Sequence, residues 1–173
     1  NSNLTLLKRF SSWGVNFEAV SGGELFRAIE AGADPSRVIF SGVGKKREEI
    51  QYALEKEVLF LNVESLAEFD MIATVAADIG RRAPIVFRTN PDVDAQTHPY
   101  ISTGLQEHKF GISLSEAEEL CRQSRKIKEI VVVGVGCHIG SQIIELGPFE
   151  QALDSITNFT TGLIDDGFEL KYL

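Results

Sequence analysis

The sequence predicts an α/β fold: a parallel sheet curling into a (β/α)8 barrel, with about six of the eight units present. Short apolar runs recur along the chain, nearly continuous where a strand covered on both faces should be. Amphipathic segments built on three- and four-residue steps separate them. The units are similar in length and lack the G-x-G-x-x-G fingerprint of a dinucleotide fold, which favours the barrel over a doubly wound sheet.

The elements follow in order. "NSNLTLLKRF" enters a helical pattern at once, with Leu4, Leu7 and Phe10 on one stripe and Gly14 placed to end it. "FEAV" from Phe17 is the first strand. Ser21 and Glu24 form a capping box that opens the next helix, whose stripe is Leu25, Ala28 and Ile29 and whose stop is Gly32. "RVIFSG" from Arg37 is the second strand, and Ile50, Ala53 and Leu54 mark the third helix. "VLFLNV" from Val58 leads to the Ser65/Glu68 box, then a helix through Leu66, Phe69, Ala73 and Ala76, ending at Gly80.

"IVFRTN" from Ile85 is the fourth strand. The connection from Asn90 to Ser113 is longer than ordinary loops and marks a functional segment. A third box, Ser115/Glu118, follows, and "EIVVVGVG" from Glu129 is the fifth strand. Gly147 and Pro148 open the last helix, with Phe149, Ala152, Leu153, Ile156, Phe159 and Leu163 as its buried face and Gly167 as its stop. "FELKYL" from Phe168 is the sixth strand. A complete barrel has eight strands, and the chain starts with Asn1 rather than Met, with no strand before its first helix. The expectation is one barrel domain over residues 1–173, incomplete at both ends.

Composition excludes several functions. With 173 residues, 43% of them hydrophobic, the chain buries a core. Asp and Glu outnumber Lys and Arg by 25 to 17, a net charge of −8, which disfavours nucleic acid and anionic membranes as partners. Cys121 and Cys137 have no disulfide-framework or zinc spacing and read as free thiols of a reducing compartment. No apolar run reaches the roughly 18 residues of a membrane helix, and no signal peptide opens the sequence. A cytoplasmic location is expected.

A barrel gathers its chemistry at the C-terminal ends of its strands. That rule selects Glu18 and Ser21, Ser41 and Gly42, Asn62 and Glu64, Arg88 and Asn90, and Cys137 to Gln142. Other motifs fail. "GVGKKREE" from Gly42 is no phosphate loop, because Ile39 stands where its first glycine belongs and Lys46 where Ser or Thr belongs; it reads as a solvated helix start with cationic side chains. His98 and His108 have no second ligand at metal spacing and read as loop polarity; no metal is expected. His138, in "VVVGVGCHIGSQ", is a functional rim residue or a satisfied core histidine on pattern alone, with Gly136 and Gly140 leaving room for a ligand.

Four stretches, "AVSGGELFRAIEAGADPSRVIFSGVGKKREEI", "LNVES", "FRTNPDVDAQTHPYISTGLQEHKFGI" and "GVGCHIGSQI", closely resemble the diaminopimelate decarboxylase family. That family is a branch of the fold type III pyridoxal-phosphate decarboxylases and catalyses the last step of bacterial lysine biosynthesis. "HIGSQ" and "KFG" are similar to the wider set, whereas "NPDVDAQTHPYISTGL" resembles the diaminopimelate branch in particular. The resemblance implies a barrel of the alanine racemase/ornithine decarboxylase type, pyridoxal 5'-phosphate as cofactor, and decarboxylation of meso-2,6-diaminopimelate to L-lysine by a cytoplasmic homodimer.

Losing CO2 from an α-amino acid leaves a carbanion that no ordinary side chain delocalises, so a cofactor is needed on chemical grounds too. By resemblance His138 lies on the ring face, Ser141 reaches the phosphate, and Arg88 faces the ring oxygen or nearby carboxylates. Lys109 of "KFG" corresponds to a lysine near the active site and subunit interface; its alternative is a surface-loop cation. Glu18 stands where the family often has aspartate, and Glu64 reads as favouring a helix N-terminus.

The family's Schiff-base lysine would precede Asn1, and Lys8, in the following helix, does not replace it. The glycine-rich phosphate loop, the carboxylate that partners the pyridine nitrogen, and a C-terminal β domain with a catalytic cysteine would follow Leu173. Neither Cys121 nor Cys137 matches that cysteine. The chain alone is therefore expected to be inactive. Two alternatives stay open: a decarboxylase of ornithine, arginine or carboxynorspermidine, and a catalytically silent homologue that acts as a binding protein.

Overall fold

The computed structural model describes residues 3–91, 93 and 110–173. His98, Lys109, His108 and most of the long connection lie outside the described residues.

One six-stranded sheet organises the molecule. Strands β1 (Phe17–Ala19), β2 (Val38–Phe40), β3 (Phe60–Val63) and β4 (Ala83–Asn90) pair in sequence order, and both β5 (Ile112–Ser113) and β6 (Ile130–Cys137) pair with β4. Every pairing is parallel. Parallel neighbours need crossovers: α2 (Gly22–Glu30), α3 (Arg47–Glu55), α4 (Leu66–Ile79) and α5 (Leu114–Ser124) lie between successive strands, while α1 (Leu4–Ser12) precedes β1 and α6 (Gly147–Asp165) follows β6. Among the described residues no helix is long and apolar enough to cross a membrane.

Side chains alternate between two layers, as a pleated strand requires. Val38, Phe40, Leu61, Val63, Ile85, Phe87, Val132 and Val135 join helix residues such as Leu25, Ile50, Phe69 and Ile72 in the main core. Phe60, Val86 and Val133, with Ile39, Leu59 and Val131 against them, form a smaller cluster on the other face, the barrel interior.

β6 does not keep its register. Ile85 pairs with Val132 but Val86 pairs with Gly134, so one extra residue enters β6 at this point. Beyond it Arg88 pairs with Gly136, and paired residues of neighbouring strands share a face. An unbroken alternation from Val131 and Val133 would send Val135 and Cys137 inward. The extra residue turns Gly134 and Gly136 inward instead, with His138 two residues further in step.

Several sequence expectations need correction. "FELKYL" makes a single bridge, Gly134 with Tyr172, rather than a strand. Tyr172 holds its place through backbone bonds with Val133 and Val135 and a ring contact of 5.0 Å with Phe60. β5, two residues long, was too short to carry a periodic signal. The third helix box is Ser113/Glu116, not Ser115/Glu118: Ser113 accepts from the Glu116 amide, and Glu116 accepts from the Ser113 amide at 3.0 Å. Ser21 and Ser65 do cap α2 and α4, yet Glu24 and Glu68 accept from the amides one residue earlier, Val20 and Glu64. On α6, Ala152, Ile156 and Leu163 are buried as expected, but Phe149 and Leu153 are exposed. The glycine stops hold: Gly14, Gly32, Gly80 and Gly167 all have positive φ.

The main core supplies the stability. Phe87, fully buried in the middle of β4, packs on Phe69 of α4 with ring centroids 6.0 Å apart. Phe87→Ala should cost about 3–5 kcal/mol, read as a lower urea midpoint with an unchanged slope.

Candidate functional site

The C-terminal strand ends share one rim, and a cavity of about 450 Å³ opens there, lined by Glu18, Ser41, Asn62, Arg88, Gly136, Cys137 and His138. These residues come from β1, the end of β2, β3, β4 and the end of β6. Three of them stand two residues beyond an apolar residue of the interior cluster: Ser41 after Ile39, Asn62 after Phe60, Arg88 after Val86. The lining is mainly polar, which suits a ligand with several hydrogen-bonding groups rather than a greasy one.

Two hydrogen-bonded chains organise it. Asn62 Nδ2 donates to Ser41 Oγ at 2.7 Å, and Ser41 Oγ donates to Glu18 Oε1 at 2.6 Å, holding that carboxylate at the cavity edge. Glu64, 2% exposed at its side chain, accepts from Arg88 Nη1 at 2.6 Å and from the Gly42 amide at 2.8 Å. Gly42 has φ +96°, and a Cβ there would lie 2.7 Å from the Val20 carbonyl, so this amide reaches Glu64 only because the residue is glycine. Phe110 lies 5.9 Å from the Arg88 guanidinium, within cation–π range.

Glu64 therefore does more than favour a helix N-terminus, as its place in the sequence had implied. It fixes Arg88, the one Lys or Arg among the described residues of the lining. Lys45 is likewise no solvated cation: its side chain is 0% exposed and its ammonium binds the Glu68 carboxylate at 2.8 Å. Neither role had a sequence signal beyond proximity to a strand end, because both depend on which loops pack together.

The remaining expected residues divide. Ser21 caps α2 and Asn90 ends β4, neither lining the cavity. Ser141 is exposed on the turn after β6 and is also outside the lining. Lys109 lies outside the described residues. His138 is exposed at the cavity, which removes the core-histidine alternative.

Two features suit a flat, polar, anionic ligand. Arg88 Nε is buried with no hydrogen-bond partner among the described residues, a donor left wanting an acceptor. At Gly136 an added Cβ would meet only Val86 Cγ1, at 4.0 Å, so backbone and ligand can approach closely there.

Comparisons with known proteins give the family and the fold. Residues 1–173 match the family model described as pyridoxal-dependent decarboxylase, pyridoxal binding domain. A diaminopimelate decarboxylase of Pseudomonas aeruginosa is 47% identical over 173 residues, all of this chain and 42% of that protein. One from Haemophilus influenzae is 48% identical over 172 residues, 99% of this chain and 41% of that protein. The crystal structure of diaminopimelate decarboxylase from Helicobacter pylori complexed with L-lysine superposes with a TM-score of 0.92 at 43% identity, covering 99% of this chain and 44% of that one. The chain thus spans less than half the length of the proteins it matches.

The two thiols should behave differently. Cys121 is buried, and loss of solvent pushes its pKa up to about 12, whereas Cys137 is exposed at the cavity. A disulfide reagent at pH 8 should titrate Cys137 in the native protein and reach Cys121 only after unfolding. Prompt reaction of both thiols would contradict the burial of Cys121.

Proposed function

The chain belongs to the pyridoxal-dependent decarboxylases through their pyridoxal-binding domain, and from that premise we propose that it is the cofactor-holding barrel domain, over residues 1–173, of an enzyme that converts meso-2,6-diaminopimelate to L-lysine and CO2. What carries the reading is the polar rim cavity in a chain that is 47% identical along its whole length to a protein of that name. The proposal includes a small amino-acid substrate, a homodimer and a cytoplasmic location.

Bound pyridoxal 5'-phosphate supplies the electron sink that loss of CO2 from an α-amino acid requires. The residues of this chain hold and orient it. Arg88, pinned by Glu64, offers its buried Nε–H to an anionic oxygen of the ligand, and a permanent cation needs no proton taken up to do so. His138 and Gly136 fit the two requirements of a flat ring, an aromatic surface and a floor without a side chain. Glu18, held by Ser41, keeps a carboxylate at the cavity edge where it can accept a proton or a hydrogen bond. Ser141 is assigned to the cofactor phosphate, and Lys109 to the catalytic groups near the active site and subunit interface; both assignments rest on resemblance.

The full-length protein, loaded with cofactor, should release CO2 from meso-2,6-diaminopimelate and accumulate L-lysine, with little release from ornithine or arginine. Cofactor uptake without CO2 release from any of the three would reject the reading. Arg88→Gln should weaken pyridoxal 5'-phosphate binding about 10- to 100-fold, the range for a hydrogen bond to a charged group, measured by fluorescence titration of the apo protein.

A further inference from the structure

Lys45 and Glu68 form a buried ion pair that the site as described does not use. The Lys45 ammonium has three protons and three acceptors: Glu68 Oε1 at 2.8 Å, the Gly42 carbonyl at 2.7 Å and the Asn62 carbonyl at 2.6 Å. The other oxygen of Glu68 accepts from the Glu64 amide at 2.7 Å. The pair thus grips the backbone at three points, each within one residue of a side chain or amide that shapes the cavity. Gly42 presents its amide to Glu64, Asn62 donates to Ser41, and Glu64 holds Arg88.

Burying two charges is costly, and an apolar pair of the same volume is often as stable, so stability alone is a weak account of this one. What an apolar pair cannot do is hold two carbonyls and an amide in fixed places. We infer that Lys45 and Glu68 are positioning residues that preset the Arg88 guanidinium for an anionic ligand, acting through the Gly42 loop and Glu64. The inference deepens the proposed function and rests on it. Without the pair, the Gly42 carbonyl and the Asn62 carbonyl lose their donor, the Gly42 amide drifts from Glu64, and the carboxylate that aims Arg88 loses half its support.

The experiment uses the full-length apo protein and pyridoxal 5'-phosphate as probe. Wild type, Lys45→Met with Glu68→Met, Arg88→Gln, and the three changes combined are compared for thermal midpoint and for the dissociation constant by fluorescence titration. The double Met variant should melt lower than wild type, because two carbonyls and an amide lose their partners, yet remain folded at the temperature of the titration, where its dissociation constant rises about tenfold, a coupling of the usual size for residues in one network. In the Arg88→Gln background the same pair of changes should cost little more. Unchanged affinity in the double Met variant, or losses that add fully to that of Arg88→Gln, would overturn the inference in favour of a purely structural pair. Should the double Met variant fail to fold, Glu68→Gln keeps the volume and removes one acceptor. It should raise the dissociation constant in the same direction by a smaller factor, and no rise would count against the inference. A wild type that takes up no cofactor overturns the reading of the site itself, and this inference with it.

Discussion

Parallel pairing around β4 is the constraint from which the rest follows. A parallel sheet cannot turn back on itself through tight hairpins, so each connection crosses over, and each crossover here that carries a helix lays it against one face. The strands are then apolar on the helix side and, in their middle, on the interior side as well. Polarity can enter only where the strands end. All strands point the same way, so those ends converge on one rim, and Glu18, Ser41, Asn62, Arg88 and His138 meet there although 120 residues separate the first from the last.

Much of this was legible in the sequence. The helix stripes, the glycine stops and the serine caps are local signals, each decided by a few neighbouring residues, and Ser21, Ser65, Gly80 and Gly167 behave as their neighbourhoods predict. The rim residues were legible too, because a strand end is found from the strand. What was not legible depends on packing between distant segments. Phe149 and Leu153 share the periodicity of Ile156 yet face outward, because period alone cannot say how wide a stripe the sheet covers. Lys45 sits in a run of charges that reads as solvent-facing, and only the closing of its loop over β3 buries it. Glu24 and Glu68 reach past their own caps because the preceding strand leaves a free amide in line with each.

The site also shows how a cation can be kept ready at an open rim. Arg88 has a side chain 23% exposed, and an arginine in that setting would ordinarily sample many rotamers. Glu64, itself nearly inaccessible to water, removes that freedom beforehand, and Phe110 lies near the guanidinium. Ordering cost is then met during folding rather than when a ligand arrives.

The extra residue in β6 sets the phase of everything that follows it. Between Val131 and Gly136 the chain reads as valines and glycines in which no position looks special, yet it holds one residue more than the stretch of β4 it pairs with, and past that surplus Gly136 comes to stand opposite Arg88. Alternation counted straight through this run would put the Val135 side chain inside the barrel, whereas it packs in the main core on the helix side, so a single surplus residue decides which glycines floor the cavity.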